Sequence, residues 1–188
     1  MWIKKLFCLR NLFKLLLGFV IYLCLGIPEK IRFAQGTKDP VVEFISLFVL
    51  AVFIGLAVGF DDRNIHFKRI TISLLGGITG GLLLGFLQII KFSSLEVWLF
   101  FIPGFFVVIA KGLYYKSFLK IVLGVVGIVG ASLAAIILFA IGTLLSRGWW
   151  GTPMLPALGE LPLVVACLIM GWILIIGINL EDYWRKLP

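Results

Sequence analysis

Six apolar stretches separated by short polar segments make up most of the chain. Three of them are free of charged residues over long runs, residues 71–90, 121–145 and 161–180. About 20 apolar residues in a helix cross the ~30 Å hydrocarbon layer of a bilayer. The pattern therefore predicts an all-α fold, a polytopic transmembrane helix bundle of about six spans. We place these spans in a single integral membrane domain, residues 1–188, at about 12–28, 40–60, 70–90, 94–110, 118–145 and 161–180.

The span boundaries differ in how clearly the sequence marks them. The second span begins with Asp39 as a helix cap, Pro40 at the first helical position and Glu43 in the first turn. The first span resembles an uncleaved signal sequence, and we expect Lys14 to reach toward the membrane surface. An alternative places residues 12–28 in the interface. Residues 94–110 contain Pro103 followed by glycine, so this segment could instead be re-entrant.

The third span carries a glycine-rich run, ISLLGGITGGLLLGF, at residues 72–86. A phosphate-binding loop would need a helix start and a nearby basic group, whereas this run lies in mid-span. In lipid, small residues allow two helix backbones to approach closely. We therefore predict a packing face wide enough for two neighbours, with the third helix near the centre of the bundle. This face consists of Ser73, Gly77, Gly81 and Gly85, with Gln88 able to hydrogen-bond from the same side.

The fifth span has a second face of small residues. Its length predicts that the helix tilts or bends within the membrane. The face is expected to pack against another helix of the bundle, although a partner chain or self-association could also use it. Its members are Gly124, Gly127, Gly130, Ala131, Ala134 and Ala135.

Composition and charge support a membrane protein and give its orientation. The chain is 62% hydrophobic with a mean hydropathy of +1.16, and its formal net charge is +8. Basic residues collect on cytoplasmic loops, so the charge indicates topology and predicts no nucleic-acid partner. One side has twelve basic residues and the other has five, which predicts that both termini are cytoplasmic in a membrane of the bacterial inner-membrane type. The two sets are Lys4, Lys5, Arg10, Lys14, Arg63, Lys68, Arg69, Lys111, Lys116, Lys120, Arg185 and Lys186, against Lys30, Arg32, Lys38, Lys91 and Arg147.

The densest polar segment is DDRNIHFKR, residues 61–69, between the second and third spans. Asp61, Asp62 and His66 could form a cation site or an acid–base pair. We prefer a solvated turn, because three basic residues balance the carboxylates. His66 is the only histidine and the three cysteines are widely spaced, so no metal site and no cofactor is predicted.

Two further features could line a transport path. Helix breaks in transporters expose backbone carbonyls, and Pro103 with Gly104 could form such a break near Gln88. No acidic or basic residue lies deep within a predicted span, and this disfavours proton-driven transport.

These features favour a non-enzymatic membrane protein that serves as a subunit or accessory component of a membrane complex. One alternative is a small solute-binding transport or channel protein for a neutral or lipid-like molecule. A second alternative is a membrane immunity protein, and an intramembrane hydrolase ranks last. The predicted partners are the lipid bilayer and other membrane protein chains or further copies of this one.

Overall fold

The computed structural model describes residues 9–35, 40–61, 67–89, 100–147 and 160–181. Over these residues the chain is all-helical, as predicted, and contains no strand. The six helices are α1 (Leu9–Gln35), α2 (Pro40–Phe60), α3 (Phe67–Ile89), α4 (Phe101–Tyr114), α5 (Phe118–Arg147) and α6 (Leu161–Ile178).

Four of the helices, α2, α3, α5 and α6, are long and apolar enough to cross a membrane. They support a membrane-embedded protein. The apolar part of α1 is shorter. Helix α4 has only 14 residues, or about 21 Å, which is less than the ~30 Å hydrocarbon layer. Helix α5 continues for 30 residues, about 45 Å, and so exceeds the same layer.

The helices form a closed ring. Each helix packs against the next one in sequence, and α1 packs against α6. Helices α2, α4 and α6 also contact one another across the ring, so they form its centre. Fully buried side chains from these three helices fill the core, among them Leu50, Ile54, Val107 and Leu174.

Helix α3 lies on the ring, and the prediction that it occupies the centre is wrong. Its packing partners in the described structure are α2 and α4. A face of small residues determines how closely a neighbouring helix approaches. The number of neighbouring helices depends on the residues around the whole circumference of the helix. Leu75, Leu82 and Phe86 on the remaining surface of α3 are each more than half exposed.

The glycines of α3 divide between its two neighbours. A Cβ atom added to Gly77 would lie 2.5 Å from the carbonyl oxygen of Ala51 on α2. One added to Gly80 would lie 2.7 Å from the Cα atom of Pro103 on α4. Both distances are shorter than van der Waals contact, so these two helix pairs require a hydrogen in place of a side chain. Ser73 is fully buried in the same α2–α3 contact.

Pro103 and Gly104 do not interrupt α4. They lie in the first turn of α4, which begins at Phe101. A proline is tolerated in a first turn because its missing N–H has no partner there. The Gly104 N–H still donates to the Phe100 carbonyl at 3.3 Å. Residues 94–99, which the sequence assigns to the same span, lie outside the described residues, so a break between them and α4 stays a prediction.

The small residues of α5 differ in burial and in what they contact. Gly124 faces the Val108 side chain of α4, and Gly127 faces the Gly177 backbone of α6. Ala131 and Ala135 are buried as well, whereas Ala134 is half-buried. A Cβ atom added to Gly130 would meet nothing within 4 Å, in contrast to one added to Gly124 or Gly127 of the same helix.

Candidate functional site: a buried polar cluster at the helix ends

Charged side chains meet inside the bundle at one end of the helix ring. Lys14 of α1 forms an ion pair with Asp61, which directly follows α2, with 2.8 Å between Nζ and Oδ1. Both side chains are almost fully buried. The Lys14 ammonium also lies 5.0 Å from the centre of the Trp172 ring of α6. The rings of Phe13 and Phe60, the residues before Lys14 and Asp61 in sequence, stack with their centroids 4.1 Å apart.

Asn179 connects this ion pair to two further helices. Its Nδ2 donates to Oδ2 of Asp61 at 2.9 Å. Its Oδ1 accepts hydrogen bonds from Lys111 of α4 and from Arg69 of α3, the latter at 3.4 Å. Asn179, Arg69 and Lys111 are all at least nine-tenths buried. We call Lys14, Asp61, Arg69, Lys111 and Asn179 the polar cluster, and it joins five of the six helices.

The remaining helix, α5, is connected to the region of the polar cluster by a neighbouring ion pair. Lys120, in the first turn of α5, lies 3.2 Å from Oε2 of Glu181. Lys111, Lys120, Asn179 and Glu181 line a cavity of about 10 Å³. A cavity of this size holds about one water molecule. The space among these charges is therefore too small for an organic substrate.

Burial of these charges has an energetic consequence. Removing a charge from water costs several kcal/mol unless a partner of opposite charge and further hydrogen bonds compensate. The carboxylate of Asp61 provides that compensation for Lys14, and the side-chain oxygen of Asn179 accepts hydrogen bonds from Lys111 and Arg69. The members of the polar cluster consequently depend on one another, and each fixes the position of the end of its own helix.

The structure places Asp61 differently from the solvated turn that the sequence suggested. Its exposure is 6%, because Lys14 and Asn179 draw the carboxylate into the bundle. Asp62 and His66 lie outside the described residues. The preference for a solvated turn is therefore wrong for Asp61.

The other predicted polar candidates lie elsewhere and do not converge. Gln88 donates a hydrogen bond to Glu43, which joins the end of α3 to the start of α2. This is the opposite end of the bundle from Asp61. Pro103 packs against Gly80, and Gly104 faces Ile128 and Ile178 side chains. In the described residues, Gln88 and the pair Pro103–Gly104 therefore make separate contacts.

Sequence reasoning did not predict that Lys14, Arg69, Lys111 and Asn179 meet. The basic residues were used only to orient the chain, and Lys14 was expected to extend toward the membrane surface. A usable signal exists, because in an up-and-down bundle these residues all occupy helix ends on the same side. Asp61 lies on that side, at the end of an apolar helix. Its carboxylate indicates where the basic side chains would turn into the bundle.

The described residues offer little for metal or thiol chemistry. No group of three or more His, Cys, Asp or Glu side chains is close enough to hold a metal ion in this part of the chain. Cys24 and Cys167 are buried and not joined in a disulfide. In an apolar setting such thiols behave as small hydrophobic groups.

A separate feature lies on the outer surface between α5 and α6. A groove of about 330 Å³ runs along residues 126–131 of α5, residues 173–177 of α6 and Leu180, which follows α6. Its lining is apolar and includes Gly130.

Comparisons with known protein families, with curated proteins and with solved structures find no match to this chain. Its function is therefore inferred from its own geometry.

Proposed function

We propose that this chain is a non-enzymatic membrane protein that serves as a subunit or accessory component of a membrane complex. The observation that carries the proposal is the position of Asp61. This carboxylate, the group best suited to chemistry in the described chain, is buried and held by Lys14 and Asn179. An acid used for catalysis or ion transfer needs access to its substrate, whereas an acid that stabilises helix ends does not.

The proposed topology has six spans. The apolar parts of α1 and α4 are shorter than a full membrane crossing. Both helices nevertheless pack beside long apolar helices in the ring. The contacts of the polar cluster join the start of α1 and the ends of α2, α4 and α6, as an alternating six-span arrangement requires. The excess of basic residues at this end supports cytoplasmic termini, in a membrane of the bacterial inner-membrane type.

The main alternative is a transport protein for a neutral or lipid-like molecule. It would require a polar cavity between Gln88 and the pair Pro103–Gly104. Gln88 is engaged by Glu43, and Gly80 packs closely on Pro103. These contacts favour a closed bundle that acts through its outer surface over one that encloses a solute.

Native mass spectrometry of the protein extracted in a mild detergent tests the proposal. We expect one or more other protein chains, or further copies of this chain, to remain bound at fixed stoichiometry. An unrelated six-span protein, tagged and extracted in the same way, controls for nonspecific association. A monomer that carries a small polar solute would contradict the subunit proposal and favour the transport alternative.

A further inference from the structure

The turn between α4 and α5 holds a lysine in a backbone conformation that glycine usually provides. Lys116 has a φ of 49°, and among the described residues other than glycine it is the one with a positive φ. Its N–H donates to the Leu113 carbonyl at 3.2 Å, and the Ser117 N–H donates to the Gly112 carbonyl at 3.0 Å. These two hydrogen bonds form a Schellman motif, whose left-handed position is most often glycine and sometimes asparagine. Because a Cβ atom is unfavourable in this conformation, the backbone of the turn gives no reason for a lysine.

Exposed apolar and aromatic side chains flank Lys116. Leu113 before it and Phe118 after it are 66% and 79% exposed, and Lys116 is exposed as well. The rings of Tyr114 and Tyr115 lie edge to face with their centroids 5.0 Å apart, and each residue is more than a third exposed. A patch of this kind is unfavourable in water. It suits the membrane interface, where apolar groups reach the acyl chains and tyrosines are enriched at the headgroups.

We infer that this turn lies in the headgroup region of the bilayer and that Lys116 binds the phosphate of an anionic phospholipid there. The ammonium donates hydrogen bonds to phosphate oxygens, while Leu113 and Phe118 contact the adjoining part of the acyl chains. The methylenes of the lysine stem cover apolar surface and carry the charge out to the phosphates. A lipid contact therefore explains why a lysine occupies a position where glycine would be more stable.

Charge and apolar surface together favour a lipid over an acidic segment of another protein. A protein partner would have to place a carboxylate opposite Lys116 and apolar residues opposite the exposed rings in one fixed geometry. An anionic phospholipid carries its phosphate next to its acyl chains, so a single molecule satisfies both parts of the turn. The inference requires the chain to lie in a membrane, but it does not require the chain to be a subunit of a complex.

Native mass spectrometry of the full chain in detergent, titrated with phosphatidylglycerol or phosphatidylcholine of identical acyl chains, measures the lipid preference. Thermal unfolding of the same samples measures stability. We expect the wild type to prefer phosphatidylglycerol and Lys116→Gly to lower that preference about fivefold, the attraction that one lysine near the surface provides. The same variant should melt about 2–4 °C higher, because glycine removes the unfavourable backbone conformation. Lys116→Arg should keep the preference and gain no stability.

Lys68→Gln is the matched control, since Lys68 is exposed in the first turn of α3 and its loss removes the same charge. It should leave the lipid preference nearly unchanged. An equal loss of preference in Lys68→Gln would indicate diffuse attraction to the net charge and would overturn the inference. A Lys116→Gly variant that is more stable and keeps its lipid preference would overturn it too. So would a protein chain that dissociates on Lys116→Gly while the lipid preference stays.

Discussion

At the scale of single residues, the buried ion pair between Lys14 and Asp61 determines how the protein tolerates substitution. Each charge is nearly inaccessible to water and depends on the other. Removing one member of such a pair leaves an uncompensated buried charge, whereas replacing both by apolar residues of similar size is often harmless. Loss of one member of the pair is therefore expected to cost more stability than loss of both.

Asp61→Asn is expected to destabilise the fold by about 3–5 kcal/mol, because Lys14 would keep its charge without a carboxylate partner. The double variant Lys14→Met with Asp61→Leu should recover part of that loss, because Lys14 no longer leaves an unpaired charge while Asn179 still lacks its carboxylate acceptor. Unfolding of the purified protein in detergent micelles, followed by circular dichroism, measures both. Lys68→Gln, an exposed site, serves as the control. Equal stability of Asp61→Asn and wild type would show that the ion pair does not support the fold.

At the scale of helices, spacing between backbones depends on a few glycines. Gly77 brings α3 against the Ala51 carbonyl of α2, while Gly130 of α5 faces open space. The same substitution at the two positions therefore separates two effects of glycine, close packing and low helix propensity.

Gly77→Ala is expected to destabilise the α2–α3 contact, since the new methyl group would force backbone atoms apart at a typical cost of ~1–3 kcal/mol. Gly130→Ala should be neutral or stabilising by up to about 1 kcal/mol, the difference in helix propensity. Melting temperatures of the two variants in the same detergent give the comparison. A Gly77→Ala variant as stable as Gly130→Ala would contradict the close-packing explanation.

The helices show which parts of the fold the sequence predicts. Apolar runs and the Pro40 signal predict helical segments, because local physics determines them. The glycine face of α3 indicates close neighbours for the same reason. The central position of α2, α4 and α6 was not predictable, since it depends on how all six helices share their surfaces. Residues such as Lys14 and Asn179 were missed because their partners are more than a hundred residues apart in sequence or belong to other helices.

At the scale of the whole molecule, the orientation of the chain determines on which side of the membrane the polar cluster lies. The proposed six spans place both termini in the cytoplasm, on the side of the basic residues. The polar cluster would then lie at the cytoplasmic end, and the contact between Glu43 and Gln88 at the opposite end.

Single cysteines at Lys5 and Lys186, in a background without the three native cysteines, test this topology. Both should resist a membrane-impermeant thiol reagent in intact cells and react after the membrane is permeabilised. A cysteine at Lys38, predicted to lie outside, should react in intact cells. Reaction at only one of the two termini would require an odd number of spans.

The place of Asn179 at the far end of the sequence has a consequence for biosynthesis. This amide donates to Asp61 and accepts from Lys111 and Arg69, yet the ribosome adds it after all the others. Until α6 enters the membrane, the growing chain lacks the residue that links these charges, and α1 also lacks the neighbour that closes the ring. Chains that terminate before this residue lack its three hydrogen bonds, so we expect the ends of α2, α3 and α4 to be held together less firmly until synthesis passes it.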